Sequence, residues 1–402
     1  MKKLGIILAN CKGNIGDFAI LHAMINHLSD RYPDSSIAVF PDPTVRFSPE
    51  YYSDFQRMLD HHVDLSDDLS NLLPGRIITS AQRMGRKLSN WSSIGGRLIS
   101  MHSRSVERKL TNLESYEAIF VAGGGLWGAN EIMKFGLIRA LAAREISVGV
   151  YPFTAAWPMW KHNNEKTIFD FFSSFESKIY VREDLTLGRL KDIGVSAELM
   201  PDIAFYLSKK IQNIESAAER NPDRVLLSHT KRIMPNSAQL RKVGGASNLE
   251  KSVHTSEVLE ELLSRRVPVE LITTCASEDG REVIRLARRY SIPYWMPRTW
   301  QEFCSELKSS SCLVTNRLHG AILGIISETP ILLIKDSDKV KGFNMSHPEL
   351  ASEDAISNVS SDRIKYLIDN RTNYLLKQKQ VADQSFKSLN ERLLPLRRGN
   401  RV

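Results

Sequence analysis

The chain has 402 residues, 42% of them hydrophobic and 25% charged, with a formal net charge of +8 and a pI of about 9.2. That length and balance suit two globular domains with separate cores and exclude a disordered chain, while the basic excess fits anionic small molecules, an acidic membrane surface or nucleic acid without choosing among them. No stretch reaches the ~18–20 apolar residues of a membrane span, and the four cysteines, Cys11, Cys275, Cys304 and Cys312, form no CxxC pair or zinc spacing, as expected of reduced thiols in a cytosolic protein.

Leu4 to Ala9 is predicted as a first buried strand. Its apolar run is too short for a signal peptide, and Asn10, Lys12 and Asp17 follow at once. Gly13-Asn14-Ile15-Gly16-Asp17 is a glycine-broken turn, and Phe18 to Leu28 has helical spacing, with Ile20, Leu21, Met24 and Leu28 on one face. Ser36 to Phe40 is the second strand, so the chain opens on a β-loop-α-β unit of a doubly wound domain. Residues 41–113 read as an insertion. Its second half, 76–109, is basic and interleaved with apolar residues. Two readings stand for it: amphipathic surface helices, or a patch that docks on the membrane or on a lipid-linked phosphate.

Ala118 to Ala122 is a strand, Gly123-Gly124-Gly125-Leu126-Trp127-Gly128 the turn at its end, and about Glu131 to Arg144 a helix. Ile146 to Tyr151 and Lys178 to Val181 are further strands, the latter ending in Arg182-Glu183-Asp184, with a helix from Leu185 to Ile193. The polar stretch 209–223 marks a domain boundary. This gives an N-terminal domain, 1–208, a second doubly wound domain, 209–360, and a C-terminal helix with a basic tail, 361–402. In the second domain Arg224 to Ser228 opens an α/β unit, and 229–251 is a long polar loop with four cations. Helices are predicted at 257–266, 282–290 and 301–308, with a strand at 269–273 between the first two. Cys312-Leu313-Val314 is then a strand, Thr315 to Gly320 a turn, Ala321 to Ile326 a helix, and Pro330 to Ile334 the next strand.

That last order places Arg317 and His319 at the carboxyl end of a parallel strand beside a helix start, where α/β sheets bind ligands and anions are favoured. Imidazole is the side chain whose ordinary titration lies closest to neutral pH, so His319 is the candidate for proton transfer. Lys339 and Lys341 follow the next strand and reach the same edge. Arg182 sits at another strand end, either as a salt-bridge partner or as a guanidinium fork for an anion. Gly13, Asn14 and Asp17 form either an anion-binding turn or a capped helix start, and they match neither a Walker A loop nor GxGxxG. Gly123, Gly124 and Gly125 imply close approach of a ligand or of a crossing element. No HExxH, GxSxG or carboxylate cluster with metal spacing occurs, so nothing in the sequence requires a metal.

Taken together, Gly13-Asn14-Ile15-Gly16-Asp17, Gly123-Gly124-Gly125, Arg182-Glu183-Asp184, Pro201-Asp202, Arg317-Leu318-His319-Gly320 and Lys339-Val340-Lys341-Gly342-Phe343 resemble, in order and spacing, the polysaccharide pyruvyl transferase family. The resemblance implies a GT-B-like α/β fold of two Rossmann-like domains facing across a cleft. It implies phosphoenolpyruvate as donor, a sugar of a cell-surface glycan or its lipid-linked precursor as acceptor, and no cofactor. By the same resemblance His319 is catalytic. Arg182, Arg317 and Lys339 hold the donor, and Gly13, Asn14, Asp17, Gly123, Gly124 and Gly125 face the acceptor. Where the family often has an acidic residue after the triplet, this chain reads Trp127-Gly128-Ala129-Asn130. The expected setting is the cytoplasm, with peripheral contact at the inner membrane face and no nucleic acid. A GT-B glycosyltransferase using a nucleotide sugar is the competing reading, and the sequence gives no oligomeric state.

Overall fold

The structure, a computed structural model of the chain, describes residues 2–9, 14–41, 63–65, 113, 115–127, 147–155, 169, 172, 178–217, 219, 221, 223–228, 255–334, 338–350 and 361–392. The basic segment 76–109, the helix predicted at 131–144, the loop 229–251, Cys11 and the basic tail lie outside these residues. The chain divides into two compact units, Met1–Lys209 with Ala382–Val402, and Lys210–Val381. Among the described residues no helix is long and apolar enough to cross a membrane.

The first unit runs β1 (Lys2–Ala9), α1 (Ile15–Arg31), β2 (Ser35–Pro41), β3 (Val63–Leu65), β4 (Ala118–Val121), β5 (Gly124–Trp127), β6 (Ser147–Val150), β7 (Phe153–Ala155), β8 (Tyr180–Val181), α2 (Asp184–Asp192) and β9 (Glu198–Leu199). A 3-10 turn over Ile203–Leu207 and one helical turn over Ser208–Ile211 follow. Five strands form a parallel sheet in the order β3-β2-β1-β4-β6. α1 starts a turn earlier than its apolar spacing shows because Asn14, in extended conformation, accepts a hydrogen bond from the Gly16 amide at 3.0 Å. The helix is buried on most sides and packs against the 3-10 turn. Side chains such as Phe18 and Leu21 each contribute about 1.5–3 kcal/mol on burial there.

The glycine run predicted as a turn is instead a joint between two sheets. β4 stops at Val121 and β6 at Val150, and each chain resumes, as β5 and β7, in a second parallel sheet ordered β5-β7-β8-β9. At the joint Gly124 adopts φ +107° and donates its amide to the Pro152 carbonyl at 3.3 Å. A Cβ on Gly123 would stand 2.7 Å from that same oxygen. Pro152 has no amide with which to continue the ladder, so both chains change direction at one level.

α1 also buries His27. Its Nδ1 shares a 2.8 Å hydrogen bond with the Tyr151 hydroxyl, and the Tyr206 ring meets it edge-on at 5.0 Å. Tyr206 in turn donates to Asp30 at 2.8 Å. Burial, with Arg31 adding and Asp30 opposing, lowers the His27 pKa from 6.5 to about 4. The unfolded chain therefore takes up a proton below pH 6.5 that the folded chain refuses until pH 4. Stability is unaffected above the upper value, falls as the pH drops through this window, and levels off below it, a loss of about 3 kcal/mol. His27→Gln is expected to flatten this dependence in denaturant titrations between pH 7.5 and 4.5. An unchanged slope removes His27 as its source.

The second unit runs β10 (Val225–Ser228), α3 (Thr255–Ser264), β11 (Val269–Ile272), α4 (Ala276–Tyr290), β12 (Tyr294–Trp295), α5 (Trp300–Lys308), β13 (Cys312–Thr315), α6 (Leu318–Ile326), β14 (Ile331–Leu333), α7 (Asp338–Ser346), α8 (Ser361–Asp369) and α9 (Arg371–Arg392). The division between the units falls within α9. The sheet is parallel throughout, ordered β12-β11-β10-β13-β14. One face of the sheet, through Val225, Leu227, Val269, Leu271 and Val314, packs on Val258 and Leu262 of α3 and Val283 and Leu286 of α4. α6 is small and apolar because it lies hard on β14, where a Cβ on Gly324 would come 2.5 Å from Ile331 Cγ2. α4 begins six residues before its predicted start at Glu282. Ser277-Glu278-Asp279 carries no apolar period, though acidic residues suit a helix N-terminus. Cys275, Cys304 and Cys312 are buried and outside any disulfide among the described residues.

Candidate functional site

Both units share one strand order, and in each unit motif residues follow a strand at which the crossovers reverse direction. That reversal is where open α/β sheets leave a ligand crevice at their carboxyl edge. In the second unit the reversing strands are β10 and β13, registered Ser228 to Thr315. Thr315 is fully buried; its hydroxyl donates to the Ser228 carbonyl at 2.8 Å and accepts from the Arg317 amide at 3.0 Å. This fixes Arg317 in extended conformation as the N-cap of α6. Arg317 gives α6 no side-chain cap, and Cys275 gives α4 none. α1, α2 and α5, by contrast, are capped by Asn14, Glu183 and Thr299. The starts of α4 and α6, without a side-chain cap, thus lie at the edge where an anion is favoured.

His319, half-buried, is the second residue of α6, and Lys339, half-buried, is the second residue of α7. β14, which leads to α7, neighbours β13, so Arg317, His319 and Lys339 follow adjacent strand ends of one sheet. Lys341 is on the same helix. Sequence reasoning missed one partner. Asp279, in the first turns of α4, pairs with Arg317 Nη2 at 2.5 Å, the two side chains being 11% and 25% exposed.

In the first unit Asn14, Asp17, Gly123, Gly124 and Gly125 follow β1 and β4, which are likewise neighbours at the reversal. Gly13 lies outside the described residues. Asn14 caps α1, and the Pro152 carbonyl accounts for Gly123 and Gly124 by packing.

Arg182, expected among the donor-binding cations, belongs to the first unit and is 4% exposed. Its Nη1 pairs with Asp202, and its Nε donates to Thr154 Oγ1 at 2.6 Å. Parallel pairing of β8 with β9 brings the two charges together, because both strands end at this level. Asp202 also accepts from the Ala204 amide at 2.9 Å, capping the 3-10 turn. Glu183 caps α2 by accepting from the Thr186 amide at 3.0 Å. Burial pushes the Glu183 carboxyl up, against hydrogen bonds from Thr186 that favour its charge. The structure thus shows Arg182 in a buried ion pair, its charge matched by a carboxylate twenty residues on.

The profile of a family described as polysaccharide pyruvyl transferase matches residues 14–338, which include the glycine triplet, Arg182, Asp202, Asp279, Arg317 and His319. Compared with curated proteins, the chain matches none. Among solved structures it is similar to the UDP-GlcNAc 2-epimerase of Neisseria meningitidis bound to UDP-GlcNAc, at 11% identity over 98% of both chains, TM-score 0.55. A putative UDP-N-acetylglucosamine 2-epimerase of Listeria monocytogenes is similar at 12% identity over 97% of this chain and 92% of that one, TM-score 0.51. At such identities the likeness is one of fold: a GT-B type built of two Rossmann-like units. By the match across residues 14–338, the chain belongs to the polysaccharide pyruvyl transferase family.

Proposed function

We propose that the protein transfers pyruvate from phosphoenolpyruvate to a sugar of a cell-surface polysaccharide, or of its lipid-linked precursor, and closes it as a cyclic ketal. The observation that carries this reading is that Arg317 and His319 follow β13 and Lys339 is the second residue of the helix after the neighbouring strand β14, in a chain of this family. Phosphoenolpyruvate is a trianion with an enol carbon pair. Protonation of its methylene carbon makes C2 electrophilic, and one sugar hydroxyl adds there and loses its proton. The C2–phosphate bond then breaks, phosphate leaves with its electron pair, and a second hydroxyl of the same sugar takes its place. The products are the ketal and inorganic phosphate. His319 moves the proton, while Arg317, Lys339 and the opening amides of α6 hold the carboxylate and phosphate. Gly13, Asn14, Asp17, Gly123, Gly124 and Gly125 of the first unit serve the acceptor. The reaction runs in the cytoplasm, needs no cofactor and involves no nucleic acid. A lipid-linked acceptor brings the protein to the inner membrane face.

Arg317→Ala and Lys339→Ala are each expected to weaken phosphoenolpyruvate binding by about 10–100-fold, the worth of a hydrogen-bonded ion contact. Titration calorimetry against the wild-type protein measures this, and unchanged affinity in both variants removes them from the donor site. Incubation with phosphoenolpyruvate and glycan precursors, followed by mass spectrometry, is expected to show the added pyruvate. Thermal stabilisation by a nucleotide sugar and not by phosphoenolpyruvate would overturn the reading in favour of a glycosyltransferase.

A further inference from the structure

We infer that Asp279 is the positioning residue for Arg317, and hence for donor affinity; the inference rests on the reading just given. α4 follows β11 and α6 follows β13, the strands on either side of β10. α4 packs on the sheet face lined by Val225, Leu227 and Val314, whereas α6 lies against Leu313 and Ile331, whose side chains alternate to the other face. The Asp279–Arg317 pair therefore spans the crevice at the carboxyl end of β10. The backbone of Arg317 is already pinned through Thr315, but an arginine side chain carries roughly 2 kcal/mol of rotamer entropy. A carboxylate only 11% exposed, reaching from the opposite helix to Nη2, restricts the guanidinium before any anion arrives. Donor binding then has less to order in that side chain, and the bound anion gains the affinity.

A positioning role makes three demands. Asp279→Ala is expected to raise the Kd and KM for phosphoenolpyruvate by about tenfold, with kcat within a few-fold of wild type, because the fork keeps its charge but loses its orientation. Asp279→Asn, which keeps an acceptor oxygen, is expected to fall between. On an Arg317→Ala background Asp279→Ala is expected to add nothing, since coupled residues are not additive. Binding of phosphoenolpyruvate to wild type, both Asp279 variants, Arg317→Ala and the double variant, with melting temperatures alongside, tests this. Wild-type affinity in Asp279→Ala beside a weakened Arg317→Ala overturns this inference alone. So does tighter binding in Asp279→Asn, which would make the carboxylate a competitor, or a further loss in the double variant. Absence of phosphoenolpyruvate binding to the wild-type protein overturns this inference together with the reading it rests on.

Discussion

His319→Ala is expected to lower pyruvyl transfer by about 100–10,000-fold, the range for loss of a positioned proton carrier. The fold is expected to survive. His319 stands half-buried in the first turn of α6, where alanine is the better helix former, and Thr315 holds the turn. Phosphoenolpyruvate affinity is expected to change less than turnover, because Arg317, Lys339 and the opening amides of α6 remain. Phosphate release and pyruvylated acceptor measured against phosphoenolpyruvate concentration separate the two effects, and circular dichroism checks the fold. A variant that turns over at near the wild-type rate removes His319 from the mechanism. One that loses affinity in proportion to rate makes it a binding residue.

Arg182→Ala is expected to act first on stability. The guanidinium and its partner Asp202 are 1% and 3% exposed, and removing one member leaves the other charged and buried. Such losses cost about 3–5 kcal/mol, or roughly 6–20 °C in melting temperature for a domain of 150–250 residues. Asp202→Ala is expected to cost at least as much, since it also uncaps the 3-10 turn at Ala204. Replacing both, as in Arg182→Met with Asp202→Leu, is expected to cost less than either single change, because no orphan charge remains. Denaturant unfolding of the three variants measures the ordering. Should Arg182→Ala melt like the wild-type protein and yet lose phosphoenolpyruvate affinity, the arginine returns to the donor site.

The sequence by itself determined where most strands and turns fall. Runs such as Leu4–Ala9, Ala118–Ala122 and Cys312–Val314 are apolar on both faces, as strands covered on both sides must be, and glycine or polar turns follow each. It also determined that Arg317 and His319 stand at a strand end, because strand, turn and helix follow one another within a dozen residues. Tertiary structure decided which strand ends are neighbours. The order β12-β11-β10-β13-β14 comes from hydrogen bonds between segments far apart in the chain, and that order makes neighbours of the strands that lead to Arg317 and to Lys339. It decided the pairing of Arg182, because the register of β8 on β9 delivers Asp202 to it and buries both side chains. It decided that Gly123 and Gly124 answer to the carbonyl of Pro152. Asp279 became visible only there as well: a polar first turn has no apolar period to betray it, and its partner lies on another helix. Local spacing is written in neighbouring residues, whereas charge pairing is set by chain segments that meet only after the sheet has formed.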